Sequence, residues 1–377
     1  MPEVRKRILI LIPRMGGGGT ERVVSILANH LCEKYDLRIS TLVSGESFYA
    51  LKPEVELKSA GCGIDRASPF RRTVSMGKNF FRSIAYVRQE IRDFHPDLVF
   101  PLLEEMDLVT DLAARGLRGF RRIHSERNDP RRRNGMLQRQ LERIYRSADL
   151  LVCQTETVAE YYRRVPRKTV IPNPADFASY PDRVPEAEKA RIVSIGRLRK
   201  QKNILLLEKA FAAIAEQFPE ATVTVYGEGP ERRRLEAEIR KDGLEGRFLL
   251  PGASGDVLNQ IRDAAVFALP TEYEGFPNAL IEAVAMGIPV VTTDFASGVA
   301  REIVKEDVGI VVPVGDTAAF AGGLAELLRS REKREQIRKA SRKAVEPFAA
   351  EKVIAAWDRL LETLLEDGAC PERERNP

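Results

Sequence analysis

Histidine appears three times and tryptophan once in this chain of 377 residues, which contains neither an H-E-x-x-H nor a D-x-D string. Without those donors a dedicated metal site is not expected. Cysteine is equally sparse. Cys32, Cys62, Cys153 and Cys370 lie far apart, with no C-x-x-C pair, which points to a reducing compartment and away from a disulfide framework. No apolar run reaches the roughly 18 residues of a membrane-spanning helix. The apolar run Ile8 to Ile12 is too short for a secretory core and reads as a buried strand. The expected location is cytoplasmic, with peripheral attachment to the inner face of a membrane as an option. No internal repeat or low-complexity tract stands out.

What is present is an ordinary globular composition, 44% hydrophobic and 31% charged, in a length that suits two domains. Short β-branched runs alternate with helical patterns along nearly the whole chain. RILILIP, LRISTLVSG, VELKSA, DLVFPLL, RRIHSE and LLVCQT read as strands of the first half. RIVSIG, TVTVYG, RFLL, VFALP, IPVVTT and GIVVP read as strands of the second, with helices over Asn203–Phe218, Pro230–Asp242 and Pro277–Met286. Nearly all-apolar strands suit a parallel sheet buried on both faces. The pattern therefore predicts an α/β fold of two doubly wound, Rossmann-like domains facing across a cleft, where open α/β sheets bind ligands. Pro172, Pro174, Pro181 and Pro185 mark the join. The expected domains are residues 1–172, with the 351–369 segment packing back on them, and 173–350. The tail EDGACPERERNP is expected to fray.

Four stretches at strand ends combine glycines or charges with a following helix. PRMGGGGTERVV follows the first strand, and its glycines free the backbone to approach a ligand at a helix N-terminus. A dinucleotide G-x-G-x-x-G would need glycine where Glu21 stands, so a nicotinamide site is disfavoured. The plain alternative is a glycine turn with no ligand. SIGRLRKQKN puts Arg197 and Lys202 beside Asn203, the expected N-cap of a helix. Two cations and a positive dipole end would cradle a diphosphate, whereas a solvated basic loop is the bland reading. VYGEGPERRRLE is given no chemistry. TEYEGFPNALIEAVAMGIPVV places Glu274 before a helix and Glu282 about one turn inside it. Carboxylates and exposed N–H groups near Gly275 and Phe276 suit the vicinal hydroxyls of a sugar. A capping carboxylate and a surface acid are the alternative.

At these residues the sequence resembles the retaining glycosyltransferases of family four, which have the GT-B architecture. The likeness covers nearly the whole chain and is strongest from Arg191 to Pro313. Its E-x7-E motif is met by Glu274 and Glu282, its G-R-L…K-N by Arg197 and Lys202, and its G-G-x-E by Gly18, Gly19 and Glu21. YGEGPERRRLE and the PNP join also follow the pattern. The resemblance implies that residues 173–350 bind a nucleotide sugar and residues 1–172 face the acceptor. Glu282 would hold the ribose. Glu274, with the N–H groups of Gly275 and Phe276 and the following Pro277 and Asn278, would face the donor sugar. Arg197 and Lys202 would bind the diphosphate, helped by backbone near Gly18 and Gly19. It also implies retention of configuration, without a metal or other cofactor. No nucleophile for the sugar's far face is evident, which favours same-face attack. Where the family commonly has a histidine, this chain reads RRIHSERNDP, so His124 and Arg127 are both candidates to face the donor sugar. Glu126 and Arg127 resemble a subgroup that builds surface polysaccharides and lipid-linked glycans. The EGFPN turn leans the donor toward a UDP-hexose or UDP-N-acetylhexosamine.

The net charge of +5 is arginine-rich and uneven. From Arg66 to Arg92, Arg66, Arg71, Arg72, Lys78, Arg82, Arg88 and Arg92 face the single acid Glu90, and Phe70, Phe80, Phe81 and Tyr86 are interleaved. Such a helix can lie on an anionic membrane and bring a lipid-linked acceptor to the site. Otherwise Phe81, Ile84, Val87 and Ile91 face the core and the arginines are solvated. Ten further arginines lie between Arg118 and Arg146. Two other functions remain open. One is a sugar-nucleotide epimerase on the same fold, which the E-x7-E context disfavours. The other is a membrane- or nucleic-acid-binding protein with an inactive cleft. No helix-turn-helix or aromatic single-strand platform is visible, so nucleic acid is not an expected partner.

Overall fold

The computed structural model describes residues 5–62, 69–181, 190–305 and 307–366. Cys370, Pro185, Arg66 and the frayed-tail expectation lie outside the described residues, as do the side chains of Phe70, Arg71 and Arg72. The chain divides into two compact units, Met1–Pro174 with Glu351–Pro377, and Ala175–Ala350.

The first unit carries a sheet of β1 (Arg7–Ile12), β2 (Asp36–Thr41), β3 (Glu56–Ser59), β4 (Leu98–Pro101), β5 (Arg121–Ser125), β6 (Leu150–Cys153) and β7 (Lys168–Val170). The order is β3-β2-β1-β4-β5-β6-β7, and every pairing is parallel. The sequence pattern missed β7, because the three residues KTV are too few to show a period. β1 is buried along nearly its whole length, as a central strand covered on both faces must be. The helix Ala350–Glu366 lays Val353, Trp357 and Leu361 into this unit's core. The Trp357 ring sits 5.2 Å from that of Phe100.

The second unit carries β8 (Arg191–Ile195), β9 (Thr222–Tyr226), β10 (Phe248–Gly252), β11 (Val266–Leu269), β12 (Val290–Thr293) and β13 (Gly309–Val312). They are ordered β10-β9-β8-β11-β12-β13, again all parallel. In both sheets the chain winds outward first to one side and then to the other. The reversal falls between β1 and β4 in one sheet and between β8 and β11 in the other. Carboxyl ends of strands flanking such a reversal are where open α/β sheets take ligands, because the loops diverge there and leave a crevice.

Two helices differ from the sequence reading. The 203–218 pattern forms a helix only over Ile204–Ala212, followed by a 3-10 turn at Ala215–Gln217. Asn203 stands at the N-cap position but makes no side-chain cap bond. A 3-10 turn over Lys200–Lys202 ends on Asn203, whose backbone is left-handed (φ 44°), a conformation asparagine tolerates better than most residues. The helix expected from Pro230 starts at Arg232.

The basic helix of the first unit runs over Pro69–Phe94. Val87 and Ile91 are buried and Ile84 is partly buried. Phe81, grouped with them in the core reading, instead points out, with 73% of its surface exposed. Phe80, Lys78 and Arg82 are exposed beside it in sequence. Among the described residues no helix is long and apolar enough to cross a membrane.

Candidate active site

The loops following β8 and β11 leave neighbouring strands at the reversal point of the second sheet. One carries Arg197 and Lys202, and the other carries Glu274. The structure brings these loops into direct contact. Lys202 Nζ donates to Glu274 Oε1 at 2.6 Å, and the two side chains keep 18% and 10% exposure. They form a mostly buried ion pair whose lysine side keeps some exposure. Arg197 is exposed, with no side-chain partner among the described residues. The site therefore holds one cation already paired and one that is not.

The glycines of this edge have steric reasons. A Cβ at Gly227 would fall 1.9 Å from the carbonyl oxygen of Gly196, and one at Gly229 would fall 2.2 Å from that of Leu198. Leu198 N–H donates to Glu228 O and Glu231 N–H to Leu198 O, each at 3.0 Å. The YGEG stretch, read as having no chemistry, thus buttresses the loop that presents Arg197. Gly196 in turn lets the stem of Lys202 cross over it, a Cβ there lying 3.1 Å from Lys202 Cδ.

Glu282 is buried on the helix Asn278–Ala285. Pro277 occupies the N-cap position and the helix has no side-chain cap. Just before it, the N–H groups of Gly275 and Phe276 find no acceptor among the described residues. Orphaned donors at a helix entrance are normally met by water or a ligand. Phe276 is itself anchored edge-on against Phe348, with ring centroids 5.6 Å apart. Gly287 closes the helix at φ 68°, where glycine is favoured.

In the first unit, Gly18 precedes the helix Gly19–Leu31 without a side-chain cap. A Cβ on Gly18 would lie 2.3 Å from Glu21 Oε2, so the acid of the G-G-x-E motif folds back over the helix entrance and would have to move for a side chain there.

His124 and Arg127 have different surroundings. His124 is fully buried on β5, and its Nδ1 lies 2.7 Å from Asp107 Oδ1. Tyr145 donates to the other Asp107 oxygen at 2.9 Å, and burial followed by the Asp107 charge pushes the Tyr145 hydroxyl up. The ring is thus held at Nδ1, while its Nε2 is buried without a hydrogen-bond partner among the described residues. Arg127 donates from Nη1 to Asn173 Oδ1 at 2.6 Å, while its Nε and Nη2 are buried without a partner among the described residues. Burial draws its guanidinium down to about 10. Glu126, immediately before it, accepts from both Arg133 and the Tyr162 hydroxyl. Burial alone would pull Arg133 down, but the hydrogen bonds and charge of Glu126 outweigh it and raise it. Neither the Asp107–His124–Tyr145 group nor the Glu126–Arg133–Tyr162 group was legible as a motif, since their members come from separate elements.

A family model for glycosyl transferases group 1 matches residues 179–344, and one for Glycosyltransferase Family 4 matches residues 17–179. The chain is a family 4 glycosyltransferase. The α-1,4-N-acetyl-D-galactosaminyltransferase of Campylobacter jejuni, whose name gives a diNAcBac-PP-undecaprenol-linked GalNAc disaccharide, is 26% identical over 94% of this chain and 98% of its own. The amylovoran biosynthesis glycosyltransferase AmsD of Erwinia amylovora is 24% identical over 94% and 99%. Among solved structures, the sucrose-phosphate synthase of Thermosynechococcus elongatus superposes with a TM-score of 0.81 at 19% identity, covering 96% of this chain and all of that one. Anabaena HepE in complex with UDP gives a TM-score of 0.76 at 17% identity, covering 95% and 100%. At these identities the solved structures bear on the fold, which is that of the GT-B glycosyltransferases.

Proposed function

We propose that this glycosyltransferase moves a hexose or N-acetylhexosamine from a UDP-sugar to a lipid-linked or polysaccharide acceptor, with retention and without a metal. The observation that carries the reading is the meeting of Lys202 and Glu274 at the sheet's reversal point, beside an unpaired Arg197 and two orphaned N–H groups. Breaking a sugar–phosphate bond leaves an oxocarbenium-like sugar and a diphosphate of growing negative charge. Arg197 and Lys202 stabilise that charge. One preorganised donor of this kind is worth about 2.7–4 kcal/mol in the transition state. Glu274 and the N–H groups of Gly275 and Phe276 hold the transferred sugar, the turn through Pro277 and Asn278 sets their position, and Glu282 holds the ribose. Gly18 and Gly19 supply a turn free of side chains. Arg127 is the first unit's candidate for the sugar or an anionic group, and His124 is assigned to the core.

The acceptor class is supported by the lipid-linked glycan and amylovoran named for the relatives. Phe80 and Phe81, exposed beside Lys78 and Arg82, suit an anionic bilayer surface, which would keep the enzyme peripheral on the cytoplasmic face. No binding to the protein by anionic liposomes at low salt would remove that part.

The test is a thermal-shift screen against UDP, GDP, ADP and their sugars without metal, since a ligand of the folded state raises Tm by mass action. A shift with UDP that is lost in Glu282→Ala and Arg197→Ala is expected. No shift with any nucleotide would contradict the site assignment.

A further inference from the structure

Thr271 is fully buried two residues past the end of β11, and its single hydroxyl proton has more than one acceptor. Its Oγ1 lies 2.9 Å from Gln201 O, 2.9 Å from Glu274 Oε1 and 3.3 Å from Tyr273 O. Its own carbonyl accepts from the Thr293 hydroxyl at the end of β12, which fixes Thr271 from the opposite side. Gln201 stitches the same two loops together. Its carbonyl also accepts Glu272 N–H at 2.8 Å, and its Nε2 donates to Tyr273 O at 2.9 Å. The residue beside the lysine and the residues around the carboxylate are thereby held in register.

One hydroxyl proton cannot fully serve Gln201 and Glu274 at the same time. While Lys202 Nζ occupies Glu274 Oε1, the proton is free to serve Gln201. An arriving diphosphate competes for Lys202. If the lysine turns to it, Glu274 loses its strongest partner while still largely buried, and an unsatisfied carboxylate there would be costly. Rotation about the Thr271 Cβ–Oγ1 bond moves the proton to Glu274 without moving any heavy atom. Gln201 O is not stranded, because Glu272 N–H remains bonded to it.

We propose that Thr271 is a positioning residue whose hydroxyl takes over Glu274 when Lys202 engages the donor's diphosphate, keeping the carboxylate aimed at the sugar. This inference rests on the assignment of Lys202 and Glu274 proposed above.

The test compares Thr271→Val, which keeps the shape and removes the hydroxyl, with Thr271→Ser, which restores it. UDP affinity is measured by calorimetry. Turnover is measured as UDP release from whichever of UDP-glucose, UDP-galactose, UDP-N-acetylglucosamine and UDP-N-acetylgalactosamine the wild type consumes. Thr271→Val is expected to bind UDP within about twofold of wild type but to lose about tenfold to a hundredfold in kcat, with Thr271→Ser close to wild type. Unchanged turnover in Thr271→Val would overturn the proposal. So would a parallel loss of UDP affinity, or failure of serine to rescue, either of which would mark Thr271 as a residue of loop folding. Consumption of none of the four sugars by a wild type that binds UDP would overturn the placing of Glu274 against the sugar. UDP affinity that is absent, or indifferent to Glu282→Ala, would instead remove the site reading itself.

Discussion

Both units gather charge at the carboxyl ends of their parallel sheets, but they handle it in opposite ways. In the first unit, Glu126 lies at 1% side-chain exposure and Arg133 at 5%, joined to each other and to Tyr162. His124 and Asp107 are sealed at 0% and 1%. In the second unit, Lys202 and Glu274 form one ion pair that remains partly open, beside an exposed Arg197. A network closed to solvent offers a ligand no route in, even where His124 Nε2 and two Arg127 nitrogens stay unpaired among the described residues, and removing one member leaves its partner desolvated and alone. A half-open pair can exchange its internal bond for one to a substrate. Charge alone therefore does not mark a site. The deciding feature is access.

Three substitutions sharpen that contrast. Arg133→Ala strands the Glu126 carboxylate and should cost about 3–5 kcal/mol of stability, read by urea denaturation. Lys202→Ala should remove about 2.7–4 kcal/mol of transition-state stabilisation, a roughly hundredfold to thousandfold fall in kcat. Its urea midpoint should fall less than that of Arg133→Ala, since the Thr271 hydroxyl can take over the Glu274 carboxylate that the lysine leaves. His124→Gln should cost about 1–3 kcal/mol of stability through its Asp107 bond, yet leave turnover unchanged at a temperature where the variant is folded. A large kcat loss there would return His124 to the active site.

The smallest effect concerns a buried acid away from both clusters. Glu208 is fully buried, with Lys209 Nζ at 3.4 Å and Asp242 nearby. Burial, then Asp242, pushes its carboxyl up from 4.5 to about 7. The folded state thus holds a proton that the unfolded chain gives up near 4.5. Its contribution to stability is complete below that pH and is lost as pH rises through about 7. Glu208→Gln should remove this fall and be more stable than wild type at pH 8 by about 1–2 kcal/mol, measured by denaturation at pH 5 and pH 8.

The two-sheet fold was legible because most strands are apolar runs set between helical patterns, and periodicity records that directly. The short β7 was not, and of the two readings of Phe81 the core one fails, because its spacing fits an apolar stripe that the core does not extend far enough to cover. At the site, Arg197, Lys202, Glu274 and Glu282 were legible as cations near a helix start and carboxylates around a turn. Thr271, Gln201 and the buttress through Gly227 and Gly229 were not. Their roles exist only because β8 lies beside β11 and β9, and a single sequence carries no mark of that adjacency.

The central claim is that the second unit's half-open pair, and not the first unit's sealed histidine, serves the nucleotide. Calorimetric titration of UDP into wild type, Lys202→Ala and His124→Gln tests it most directly. The account predicts affinity at least about tenfold weaker in Lys202→Ala and within about twofold of wild type in His124→Gln. Equal affinity in all three proteins, or a loss confined to His124→Gln, would contradict it.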